Sequence, residues 1–177
     1  APAEETAPPV DAPSEPADGG PPDAYEGPPL PAASYVLSDG TRVEVDGRGA
    51  FALSTSDGHP LASSAVGHRP MARSFAERIT FAVGFFTFRR SAVVERPSRR
   101  FLGSEETAGG VVLRFEGDEG LAIAMNISAD AAASATRIRV EKTAGPEIQS
   151  LALPFSCADG ASFAGFGAQY DDTDQRG

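Results

Sequence analysis

The sequence predicts an all-β protein, an antiparallel β-sandwich preceded by a proline-rich tail, and three observations carry that expectation. From residue 35 onward, short runs of Val, Ile, Phe and Thr recur, separated by Gly, Pro, Asp or Ser clusters, the punctuation of strands joined by tight turns. Several of these runs alternate apolar with polar residues, the period of a strand with one face buried. Helical periodicity is absent except for the alanine-rich residues 129–135, enough for a single turn. No internal repeat is visible, which removes propellers and solenoids.

The tail comes first. Ten of the 15 prolines and seven acids, with no Lys or Arg, lie in residues 1–34. Low hydrophobicity, one charge sign and dense proline do not repay the entropy of ordering, so 1–34 reads as a disordered tether. The tail accounts for -7 of the net -10, leaving 35–177 nearly balanced. Strands are then expected at 35–37, 41–45 and 50–54, parted by Ser38-Asp39-Gly40 and Asp46-Gly47. After a longer polar connection, Ile79, Phe81, Val83 and Phe85 alternate with Thr80, Ala82, Gly84 and Phe86 as one long strand. Residues 111–115 and 121–127 flank an acidic glycine turn as a hairpin. Thr136, Ile138 and Val140 alternate with Arg137, Arg139 and Glu141 as a half-buried strand. Eight or more strands in this length read as a sandwich.

Composition narrows the function classes. No apolar run reaches about 18 residues, so no transmembrane segment is expected. The net charge of -10 argues against nucleic acid or an anionic membrane as the main partner. Arg89, Arg90, Arg96, Arg99 and Arg100, close to Phe85, Phe86, Phe88 and Phe101, read as solvated strand-end arginines around a loop, with the phenylalanines in the core. One cysteine, Cys157, excludes an internal disulfide and reads as a buried, inert thiol. His59 and His68 read as surface loop residues. The acids Asp171, Asp172 and Asp174 do not match the calcium-loop spacing. No metal, cofactor or catalytic residue is therefore assigned. The Ala/Pro/Glu-rich tether beginning at Ala1 resembles the segment just after the cleavage site of an exported protein. Periplasmic, cell-surface lipoprotein or secreted placement is expected, with the cytoplasm the other compartment that the sequence allows.

The one specific signal lies at the C-terminus. Phe163, Gly165, Phe166, Gly167 and Tyr170 are succeeded by Asp174, Arg176 and Gly177. In physical terms, the aromatics can anchor a strand while the two glycines allow a tight turn or a close backbone approach. The segment resembles the signature that ends the N-terminal, galactose mutarotase-like β-sandwich of glycoside hydrolase family 31. There an aromatic-x-Gly-x-Gly-Glu-x-aromatic run precedes Asp-x-Arg-Gly, and Ala168 stands where the family has glutamate. The resemblance implies that 35–177 is the non-catalytic N-terminal domain of a longer retaining α-glycosidase. Both catalytic aspartates would then lie in a downstream barrel, with Gln169, Asp171 and Asp174 contacting carbohydrate substrate at its rim. The alternative is a freestanding exported sandwich that binds carbohydrate or protein without catalysis.

Overall fold

The computed structural model describes residues 27–65, 69–82, 85–130, 132 and 135–157. Eleven strands are present among them, in two antiparallel sheets. Sheet A is ordered β1-β2-β3-β4-β11. Its strands are β1 (Ala33–Val36), β2 (Arg42–Val45), β3 (Phe51–Ser54), β4 (Pro60–Ser64) and β11 (Phe155–Cys157). Sheet B is ordered β10-β5-β6-β7-β8-β9. It comprises β5 (Met71–Ala82), β6 (Phe85–Thr107), β7 (Gly110–Gly117), β8 (Ala122–Asp130), β9 (Ala135–Ala144) and β10 (Ser150–Ala152). A short 3-10 turn, Asp118–Gly120, joins β7 to β8.

The alternation legible in the sequence selects which residues go inside. Val43, Val45, Phe51 and Leu53 of sheet A meet Phe101, Val111, Leu113, Phe115, Ile123, Met125 and Ile127 of sheet B, all buried. Their neighbours at Arg114, Arg137, Arg139 and Glu141 face out, so β7 and β9 are apolar on one face and charged on the other. Sheet B curls. Only residues 145–149 join β9 to β10 although these strands form its opposite edges, and five residues reach at most about 20 Å. Two register shifts where β6 meets β7, around Arg99 and Leu102, add the local twist that such curling needs.

Two close contacts tie the sheets. The turn between β2 and β3 lies on the Phe101–Phe115 pair, whose ring centroids are 5.4 Å apart. Gly49 there has φ +83°, and a Cβ would stand 2.6 Å from the Phe115 ring and 2.7 Å from that of Phe101. Asp46 caps this turn, its Oδ1 accepting from the Arg48 and Ala50 amides at 2.8 Å each. Near the far end of the sheets, Thr41 and Thr136 hydroxyls meet at 3.0 Å, and the Asp39 carboxylate accepts from the Thr41 amide at 2.9 Å.

Several expectations are corrected. The folded part begins before residue 35, for the Leu30 amide donates to the Gly47 carbonyl at 2.8 Å and β1 starts at Ala33. The polar connection after β3 contains β4, paired with β3. The long strand expected through Ile79 and Phe85 is two strands: β5 ends at Ala82, and Phe85 opens β6 directly opposite it. Alternation continues unbroken through a two-residue reversal, which is why periodicity alone merges the strands. The helix-friendly 129–135 instead places Ala129 and Asp130 in β8 and Ala135 in β9, because their backbone groups complete the ladder with each other.

Gly49→Ala combines a left-handed backbone with a clash against two buried rings, and is expected to lower unfolding free energy in urea by about 2–4 kcal/mol. An unchanged midpoint would refute this account of the turn. The Thr41 backbone N–H, joined by the Thr41 and Thr136 hydroxyls, holds the Asp39 carboxyl below the ordinary carboxylate value against an opposing cost of desolvation. A depressed folded-state pKa gives stability that is present above the unfolded value and is lost as pH falls through the folded one. Asp39→Asn should therefore flatten the acid limb of Tm against pH below about pH 5, and a limb identical to that of the parent would refute it.

Candidate functional site

The C-terminal signature residues Phe163, Gly165, Phe166, Gly167, Gln169, Tyr170, Asp171, Asp174, Arg176 and Gly177 lie outside the described residues, as does His68. The strand that leads toward them is β11, at the edge of sheet A, with Cys157 opposite Ala62 of β4. β4 itself begins at Pro60, immediately after the turn in which Asp57 meets His59 at 3.3 Å. His59 is exposed as expected, and among the described residues no group of three or more His, Cys, Asp or Glu is arranged to hold a metal.

The most unusual feature of the described surface is the β5–β6 hairpin. β10 covers β5 only over Met71–Arg73, and β7 covers β6 only from Ser98 onward. Between the Ser74–Val94 pair and the Ala82–Phe85 pair the two strands pair in the sheet only with each other, as a two-stranded ribbon, with the Phe75 amide at its root donating to Gln149 Oε1 at 2.9 Å. Its root carries a bulge. Ser74 faces Val94 but Ala76 faces Ser91, so Ala92 and Val93 oppose Phe75 alone, with Ala92 at φ +50°.

Arginines line this hairpin in two distinct ways. Arg73 pairs with Glu95 at 2.7 Å, Arg96 with Glu119 at 3.1 Å and Arg99 with Asp118 at 3.2 Å. Arg90 meets Glu77 at 3.2 Å and lies 4.6 Å above the Phe75 ring. The arginine cluster expected around a loop is thus built into one continuous strand, and much of it is ion-paired, because β6 runs from residue 85 to 107. Phe101 is in the core as expected. Arg78 and Arg89 differ. They stand directly opposite each other across the ribbon, both exposed, with no carboxylate partner among the described residues. Like charges in directly opposed positions destabilise a strand pair. Beside them, Ile79 is 56% and Phe81 62% exposed, two large apolar side chains close together on one strand.

Sequence reasoning missed this ribbon, yet a signal was present. About the Val83-Gly84 centre, the register pairs Ala82 with Phe85, Phe81 with Phe86, Thr80 with Thr87, Ile79 with Phe88 and Arg78 with Arg89. That near mirror symmetry around an X-Gly dipeptide is a hairpin pattern. Comparison of the chain with protein-family models, with curated proteins and with solved structures gave no match in any of the three. The described sandwich has no helix long and apolar enough to cross a membrane.

Replacing one of the opposed arginines by an acid converts a like-charge pair into an opposite-charge one. Arg78→Glu is expected to raise hydrogen-exchange protection of the ribbon amides at Thr80 and Thr87 about two- to fivefold. No gain in protection would mean that the Arg78–Arg89 opposition imposes no strain.

Proposed function

We propose that this chain is the N-terminal β-sandwich of a retaining α-glycosidase related to glycoside hydrolase family 31. The observation that carries this reading is the ordered segment from Phe163 to Gly177, in which aromatic, glycine and Asp-x-Arg-Gly positions fall at the family's spacing. The two-sheet antiparallel architecture is compatible with it. The edge strand β11, at the margin of sheet A, ends at Cys157, five residues before Ser162 in the sequence. Margins of this kind are where a scaffold presents residues to a neighbouring domain or ligand.

In this reading the sandwich does no chemistry. Two carboxyl groups about 5–5.5 Å apart in a downstream barrel act as nucleophile and acid/base, forming and then hydrolysing a glycosyl-enzyme intermediate. Gln169, Asp171 and Asp174 bind sugar hydroxyls, the carboxylates as acceptors and the amide as both donor and acceptor. Ala168 offers no such contact.

In the protein that carries the barrel, Gln169→Ala and Asp174→Ala are each expected to raise KM for a nitrophenyl α-glycoside by about tenfold, the loss of one hydrogen bond to a bound hydroxyl. KM and kcat unchanged in both variants would overturn the rim role. The 177-residue chain alone should release no nitrophenol, and turnover by pure chain would overturn the assignment of catalysis to another domain.

A further inference from the structure

The β5–β6 ribbon is apolar and cationic in a protein that is otherwise acidic. Residues 71–100 hold seven arginines and two glutamates, a net +5, which leaves -15 on the rest of the chain. From residue 78 to 94 there are three arginines, Arg78, Arg89 and Arg90, and no acid. The nine residues from Thr80 to Phe88 carry no charge at all and include four phenylalanines. Whatever covers exposed Ile79 and Phe81 must therefore also accept two guanidinium groups that have no carboxylate partner among the described residues.

The disposition of these groups selects the partner. Successive residues of a strand fall on opposite faces, so Ile79 and Phe81 lie on one face of the ribbon and Arg78 on the other, with Arg89 opposite it. A second copy packed ribbon to ribbon would set its own Arg78 and Arg89 against these, cation against cation. A nucleic acid strand needs available cations and stacking surface on the same side, and on the Ile79 and Phe81 face Arg90 is already paired with Glu77. A bilayer engages both. An interfacial element sinks its apolar face about 5–10 Å into the headgroup boundary, and a ribbon is about 10 Å thick. Its opposite face then lies at the level of the lipid phosphates. In that orientation the unpaired backbone groups at the two ribbon edges remain hydrated, whereas insertion into hydrocarbon would strand them.

The overall charge of -10 is no obstacle once the charge is located. From Ser74 to Ala82 the ribbon extends over about 27 Å, while fields in about 0.1 M salt are screened over about 10 Å. The far half of the ribbon thus lies more than one screening length from its root. A net charge carries no positions, so the sum alone does not decide against an anionic surface at the ribbon.

We infer that the β5–β6 ribbon is a membrane-surface binding arm, resting its Ile79 and Phe81 face on an anionic phospholipid bilayer while Arg78 and Arg89 bind lipid phosphates. This is independent of the glycosidase reading. The test is co-sedimentation of the 177-residue chain with large vesicles of phosphatidylcholine alone, or with one quarter phosphatidylglycerol. Binding is expected to the anionic vesicles only, and to weaken as salt is added. The double variant Arg78→Gln/Arg89→Gln should lower the partition coefficient about thirtyfold, and Arg78→Lys/Arg89→Lys should keep it within about threefold. Phe81→Ser should lower it about tenfold. A circular-dichroism melt like that of the parent serves as the control for folding, and the lysine pair keeps the test decisive if the glutamine pair melts early. Equal binding to neutral vesicles, or an unaffected glutamine pair, would overturn the proposal. So would displacement by inorganic phosphate at matched ionic strength, which indicates a soluble phosphate ligand. A dimer in light scattering that Phe81→Ser dissolves, or oligonucleotide binding lost in the same variants, would assign the face to those partners and overturn it equally.

Discussion

The contact on which the rest of the structure depends is the one between Gly49 and the Phe101–Phe115 pair. Sheet A contributes only short strands and sheet B is curled, so the two approach closely over a limited area. At that place a turn of sheet A lies against two aromatic rings of sheet B with no room for a side chain between them. The buried residues Val43, Val45, Leu113 and Met125 lie within the same core cluster. Interior packing of this density leaves no slack to absorb an added methyl group. Asp46 fixes the turn from the solvent side, which couples a surface carboxylate to the innermost packing.

Polar contacts then secure what the apolar seam has aligned. The Tyr35 and Ser104 hydroxyls meet at 2.8 Å between β1 and β6, and the Ser98 hydroxyl donates to the Pro70 carbonyl at 2.5 Å beneath the root of β5. Each satisfies a group that the packing has taken out of water, and leaving either unmade would cost more than making it contributes. On the outer face of sheet B the ion pairs Arg100–Glu116, Arg114–Glu105 and Arg137–Asp130 lie in solvent. Their contribution to stability is small, and their effect is to keep that face hydrated with neither charge sign dominant.

Much of the fold was legible because it depends on local alternation. The inner and outer residues of β2, β3, β7, β8 and β9 are set by period-two patterning, and the glycine turns between them by the backbone they require. The illegible part has the same physical origin. Periodicity reports which face a residue takes but not where the chain reverses, so Ile79 to Phe86 read as one strand when a hairpin preserves the alternation across its turn. The pairing of Arg78 with Arg89, and of Arg96 with Glu119, is a property of register over eleven and 23 positions, which no local window contains. Net charge is silent for a related reason, because a sum carries no positions. Of the candidate site, the segment from Phe163 to Gly177 is a matter of sequence pattern alone, and the ribbon is a matter of structure alone.

The bulge at Ala92 sets the phase of everything distal to it. Because β6 gains one residue there and β5 does not, positions 85–91 are turned over relative to where an unbulged strand would carry them. The chain can therefore lengthen or shorten this arm in evolution by equal steps on both strands without touching the core, as a cassette hung from a fixed root. An insertion or loss of a single residue is another matter. It would exchange the two sides of one strand while leaving the other as it was, scrambling arginine with phenylalanine. Reach is free to vary in this design, whereas parity is not.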